Sequence, residues 1–163
     1  MTNYEWRINY EWRMESGIEM SLEEKLGYFF FDKRILARSL TRKAYAMEQS
    51  EPCTDQAAYS LLGSALIDTV LTEWLVRAGC DSQPEIVLRK IELRQVENLA
   101  RIGQELEISY RIKRSTAEKQ QNIDEQPDVL AETVEAAIAG IYVDGGYSAA
   151  RQTVHRLFKL ELL

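Results

Sequence analysis

The sequence is poor in the residues that build metal clusters and disulfide frameworks, with two cysteines and one histidine among 163 residues. Cys53 and Cys80 stand far apart with no Cys-x-x-Cys spacing, and His155 has no second histidine to help complete a zinc site. The expectation is free, buried thiols in a reducing compartment, not a disulfide scaffold. The chain does not open on a positively charged stretch followed by an apolar one, so no secretory signal is read. No apolar run approaches the roughly 20 residues needed to span a bilayer. These absences point to a soluble, cytoplasmic protein without a membrane partner. A basic excess is missing too: 26 acidic against 20 basic residues give a formal charge of -6. That excludes a broad cationic surface coating nucleic acid by counterion release and leaves room only for a local basic strip.

What is present is the material of one domain. A hydrophobic share of 45% and a charged share of 28% suit a globular chain, and the length is too short for two domains of ordinary size. Residues 3–7 and 9–13 both read Asn-Tyr-Glu-Trp-Arg. Two copies are too few for a solenoid. They read as an N-terminal aromatic extension over residues 1–18, packed back on its own domain or docking on a partner or on bases. The domain proper covers 19–163.

Ser21-Leu22-Glu23-Glu24 is a capping-box pattern, predicting a short helix that ends at Gly27. Phe29, Phe31, Ile35, Leu36 and Leu40 predict a second helix running to about Tyr45, and residues 48–55 read as a loop. From Gln56 to Ala78 the apolar positions repeat at helical spacing over about six turns. A stripe this wide predicts burial on more than one side. A helix over 85–106 carries Arg89, Lys90, Arg94 and Arg101 on a basic side, and 113–127 reads as a polar loop or ragged helix. Two more helices, 128–143 and 148–162, are divided by the turn signature Asp144-Gly145-Gly146. No strand alternation is visible, and the fold class is all-α.

Several stretches, in order, resemble the ribonuclease III endonuclease domain. Leu22-Glu23-Glu24-Lys25-Leu26-Gly27-Tyr28 resembles that family's first helix, which ends in Leu-Gly-Tyr. Leu40-Thr41-Arg42-Lys43-Ala44-Tyr45 is similar to its Leu-Thr-His-x-Ser-Tyr segment, with arginine in place of histidine. Arg89 to Leu106 is similar to a later helix. The block from Leu130 to Gly146 matches the family's Leu-Ala-Asp-x-x-Glu-Ala…Tyr-x-Asp-Gly-Gly nearly throughout. The resemblance covers residues 20 to 160 and implies an all-α, homodimeric nuclease fold. It also implies that the family's separate double-stranded-RNA-binding domain is missing, since the chain stops where the nuclease domain stops.

The chemistry implied by the resemblance is hydrolysis of double-stranded RNA by divalent cations, Mg or Mn, held by four carboxylates. Two of those carboxylates match Glu132 and Glu135, three residues apart on one helical face, with Glu132 where Asp is usual. The other two fall on Ser60 and Ser64 of Ala57-Ala58-Tyr59-Ser60-Leu61-Leu62-Gly63-Ser64. Neutral hydroxyls cannot offset a metal's charge, and loss of even one member of a catalytic unit costs orders of magnitude in rate. Asp68 lies one turn beyond Ser64, displaced by about 5.4 Å along the axis. It is either a third metal ligand beside Glu132 and Glu135 or a member of a local ion pair.

The resemblance therefore implies a catalytically inactive domain with no bound cofactor, one that binds structured RNA or scaffolds an RNA-processing assembly. Arg42, Lys43, Arg89, Lys90, Arg94, Lys113 and Arg114 are its candidate RNA contacts, and Ala58, Leu61, Leu62, Ala65 and Leu66 its candidate dimer face. Two other functions stand beside it. One is an active, rearranged endoribonuclease using Asp68, Glu132 and Glu135 with Mg or Mn. The other is a protein-only dimerisation module that forms mixed dimers with an active relative.

Overall fold

The computed structural model describes residues 20–51 and 53–160, so the duplicated arm over 1–18 lies outside the described residues. Eight α-helices and two single 3-10 turns make up the described chain: α1 Leu22–Leu26, α2 Lys33–Ser39, α3 Lys43–Glu48, α4 Ala57–Arg77, α5 Gln83–Leu93, α6 Val96–Glu105, α7 Thr116–Gln120 and α8 Pro127–Leu157. The 3-10 turns, Ile108–Arg111 and Ile123–Glu125, flank α7. The only strand-like feature among the described residues is an isolated bridge between Thr41 and Lys113. Among the described residues no helix is long and apolar enough to cross a membrane.

The two longest helices organise the rest. α8 packs most extensively on α4 and next on α6. Its buried positions (Val134, Ala137, Ile138 and Ile141) share one core with Leu66, Ile67, Val70 and Leu71 of α4 and with Leu99 and Ile102 of α6. Small residues let these axes approach. At Gly63 an added methyl would overlap the backbone carbonyl of Glu135, so only glycine permits this α4–α8 crossing.

The capping box at Ser21 forms as its sequence predicts, with Glu24 reaching back to the Ser21 amide at 2.8 Å. The predicted second helix is instead two, α2 and α3, because Thr41 and Arg42 leave the helix to bond with the segment at Lys113 (Arg42 N to Lys113 O, 3.1 Å). The predicted helix 85–106 is likewise two. It is interrupted at Arg94–Gln95, where the Asn98 amide takes the Leu93 carbonyl at 2.6 Å. The predicted helices over 128–143 and 148–162 are both present, divided at Gly146, whose φ of 81° and ψ of -179° are non-helical and suit glycine; α8 covers the two together. Cys80 is buried as expected, whereas Cys53 is exposed.

Asp144 explains why the chain bends where it does. Its carboxylate accepts from Tyr28 Oη at 2.8 Å, Phe31 N at 2.7 Å and Asp32 N at 3.0 Å. The segment between α1 and α2 is thereby pinned to α8. Gly145 leaves room for the Tyr28 ring, which a side chain there would strike.

Candidate nuclease valley

Part of the candidate set comes together where α4 and α8 cross. Ser60 and Ser64 lie one turn apart on α4, and both face Glu135 of α8. The Ser60 hydroxyl donates to Glu135 Oε2 at 3.1 Å, and Ser64 is a second hydrogen-bond partner of the same carboxyl. Burial pushes the Glu135 carboxyl up, outweighing the two hydroxyls and the nearby Arg94 charge that act in the opposite direction. Glu135 thus meets hydroxyls where a metal would need carboxylates, and Glu132, three residues before it, pairs with Arg42.

Asp68 goes elsewhere. Its oxygens pair with Lys90 Nζ and Arg94 Nη1, both at 3.0 Å. Burial raises its pKa but is overcome by these two cations, so the carboxyl titrates below its ordinary value. Arg94 also donates from Nη2 to the Ser64 hydroxyl at 2.5 Å. One guanidinium thus joins Ser64, Asp68 and, through Ser64, Glu135. On the other side Arg42 forks between Glu132 (2.5 Å from Nη1) and Glu118 of α7 (3.1 Å from Nε). A cavity of about 320 Å³ opens beside this fork, lined by Lys43, Met47, Gln56 and Glu132 among others.

The donor set does not suit a divalent cation. Magnesium and manganese need several oxygens of high negative charge converging on one point. Here Glu132 is already taken by Arg42 and Asp68 by Lys90 and Arg94. Among the described residues, no three acidic, cysteine or histidine side chains gather to hold an ion.

The basic candidates do not form one free strip. Besides Arg42, Lys90 and Arg94, Arg89 pairs with Glu85 at 2.6 Å and Arg114 pairs with Asp124. Lys43 and Lys113 are exposed. The dimer candidates divide as well. Ala58, Leu61 and Ala65 face outward, with Leu61 77% exposed, whereas Leu66 is buried and Leu62 packs against the core. Sequence reasoning missed Gly63, although a glycine inside an otherwise apolar helix signals close packing. It also missed Glu118, although Ser115-Thr116-Ala117-Glu118 spells a second capping box, formed here.

The Ribonuclease-III-like family matches residues 32–161. The chain belongs to that family. Ribonuclease 3 of Streptomyces coelicolor is 34% identical to it over 139 residues, covering 84% of this chain and 49% of that protein. Ribonuclease 3 of Caldanaerobacter subterraneus is 27% identical, covering 85% of this chain and 61% of the relative. The chain thus spans about half to three fifths of these relatives. Among solved structures, the nuclease domain of ribonuclease III from Campylobacter jejuni superposes with a TM-score of 0.78 at 27% identity, covering 85% of this chain and 94% of that one. That structure was described for flexibility in a region involved in dimer formation. The ribonuclease-III-like domain described here is all-α, as its sequence predicts.

Proposed function

We propose that this ribonuclease-III-like domain is a catalytically silent dimer that scaffolds an assembly handling structured RNA. The observation that supports it is the environment of Glu135, whose carboxylate meets the hydroxyls of Ser60 and Ser64 where hydrolysis would call for two further negative oxygens. Phosphodiester cleavage of this kind needs cations that activate water and neutralise the leaving oxygen. Hydroxyls flanked by guanidinium groups supply neither the ligands nor the vacancy. The outward Ala58, Leu61 and Ala65 of α4 support pairing of two copies through that helix, or of one copy with an active relative.

Direct RNA contact is the lesser part of the proposal, because five of the seven basic candidates are engaged with carboxylates of their own chain. Lys43 and Lys113 remain exposed for it. The test is incubation with long double-stranded RNA and manganese beside Glu135→Gln. The expected outcome is intact RNA in both; cleavage that disappears in the variant overturns the proposal. A gel shift across a salt series reads the RNA contact, which weakens with salt if phosphates are bound.

A further inference from the structure

We infer that the guanidinium groups of Arg94 and Arg42 are built-in replacements for divalent cations, so that restoring carboxylates alone does not return this valley to metal binding. The inference rests on the silent-site reading and goes further, assigning the counter-charge of the valley to two named side chains. Asp68, Glu132 and Glu135 bring acidic groups to the facing sides of α4 and α8. Each such carboxylate needs positive charge nearby if it is to stay ionised in a half-buried site. Arg94 enters the valley from just beyond the C-terminal end of α5, with Nη1 on Asp68 at 3.0 Å and Nη2 on Ser64 at 2.5 Å. Arg42 reaches it from the start of α3, its fork closing on Glu132 at 2.5 Å and Glu118 at 3.1 Å. A guanidinium keeps its charge at every physiological pH and directs several donors in a fixed plane. It therefore holds oxygens apart at hydrogen-bond distance, where a metal would gather them more closely.

The arrangement also explains what a new carboxylate would meet. An aspartate at position 64 would arrive against the Nη2 that now donates to the serine hydroxyl, and would form an ion pair in preference to a metal ligand. Arg94 Nε is buried with no acceptor, so the guanidinium has donor capacity to spare. Position 132 is likewise held by Arg42, which stands where the resemblance places a histidine.

Manganese binding, followed by calorimetry and by melting with and without the ion, tests this on three versions of the 163-residue chain. These are the unaltered chain, Ser60→Glu with Ser64→Asp, and that pair combined with Arg94→Leu and Arg42→His. The expected result is no manganese effect on the first two. The fourfold variant is expected to bind at least about tenfold more tightly than the double variant and to melt higher with the ion. Equal affinity in the double and fourfold variants overturns the inference but leaves the silent-site reading intact. Manganese binding by the unaltered chain sinks both. Should the fourfold variant not fold, Ser60→Glu with Ser64→Asp and Arg94→Leu serves: it is expected to bind manganese more tightly than the Ser60→Glu, Ser64→Asp pair, and equal affinity overturns the inference.

Discussion

The Ser60 hydroxyl donates to the Glu135 carboxylate at 3.1 Å, joining the helix that lacks the expected acidic pair to the helix that keeps its own. Because burial raises the Glu135 pKa, the folded state holds that proton more tightly than the unfolded chain. The stability this gives is fully present below the unfolded carboxyl pKa and is lost as pH rises through the higher folded value. Glu135→Gln keeps an acceptor for the serine and removes the buried charge. Its melting temperature near neutral pH should rise by about 2–4 °C, corresponding to about 1 kcal/mol in a chain of this size. The gain should vanish in acid. Melting curves of both proteins across a pH series check it, and an equal gain at every pH excludes the titration of Glu135 as its cause.

Ser60→Ala acts in the opposite direction. It withdraws one of the two hydroxyls serving a half-buried carboxylate and leaves the charge less compensated. The expected cost is about 1–2 kcal/mol near neutral pH, together with a further rise of the Glu135 pKa, both readable by denaturant titration repeated at several pH values. If Ser60→Ala costs as much in a Glu135→Gln background as it does in the parent, the hydroxyl acts elsewhere.

Gly63 controls whether this crossing forms at all. A methyl group there overlaps the carbonyl oxygen of Glu135, a backbone atom that cannot turn aside as a side chain would. Gly63→Ala is therefore expected to cost about 3 kcal/mol, at the upper end of overpacking, despite alanine's better helix propensity. Calorimetric melting measures it. A Gly63→Ala variant as stable as the parent would mean that α4 and α8 do not approach as described.

Local signals were legible in this sequence, and long-range partners were not. The Ser21 capping box, the start of α4 near Gln56 and its end at Gly79 follow from short patterns whose physics is contained within a turn or two. The break between α2 and α3 depends on Lys113, far along the chain, and no local pattern announces it. Arg42 and Arg94 illustrate the same limit at the site. Their charge suggested phosphate, but their partners are Glu132, 90 residues away, and Ser64, 30 residues away. The contact of Ser60 with Glu135 joins two positions that the family pattern suggests for one site, each placed on its helix by local spacing.

Asp144 carries a prediction about the family's most specific block. Three donors hold its carboxylate; burial pushes its pKa up, but the amides of Asp32 and Phe31 and the Tyr28 hydroxyl prevail and lower it. Burial, with the same contact, pushes Tyr28 up to about 12. For Asp144, stability is present above the unfolded carboxyl pKa and is lost as pH falls through the lower folded value. Asp144→Asn, which cannot serve three donors, should cost about 2–3 kcal/mol at neutral pH and flatten the acid limb of the stability curve. An unchanged acid limb would show that the segment between α1 and α2 is held by other contacts.

Leu61 and Leu66, both on α4, give opposite predictions from one residue type. Leu66 is 8% exposed and part of the core, so Leu66→Ala should cost about 2–5 kcal/mol wherever the chain is alone or paired. Leu61 is 77% exposed and contributes little to its own domain. Leu61→Lys should therefore change the stability of a single chain by no more than about 0.5 kcal/mol, yet it places a charge in the middle of the proposed pairing face beside Ala58 and Ala65. Burying that ammonium against a second copy without a partner would be prohibitive. The expected outcome is a dimer for the parent and a folded monomer for Leu61→Lys, read by light scattering after gel filtration with circular dichroism as the folding control. A parent that stays monomeric at tens of micromolar, or a Leu61→Lys dimer of unchanged affinity, would place the pairing surface elsewhere. The next candidate would then be α5, which turns Val87, Leu88 and Ile91 outward and buries no residue of its own.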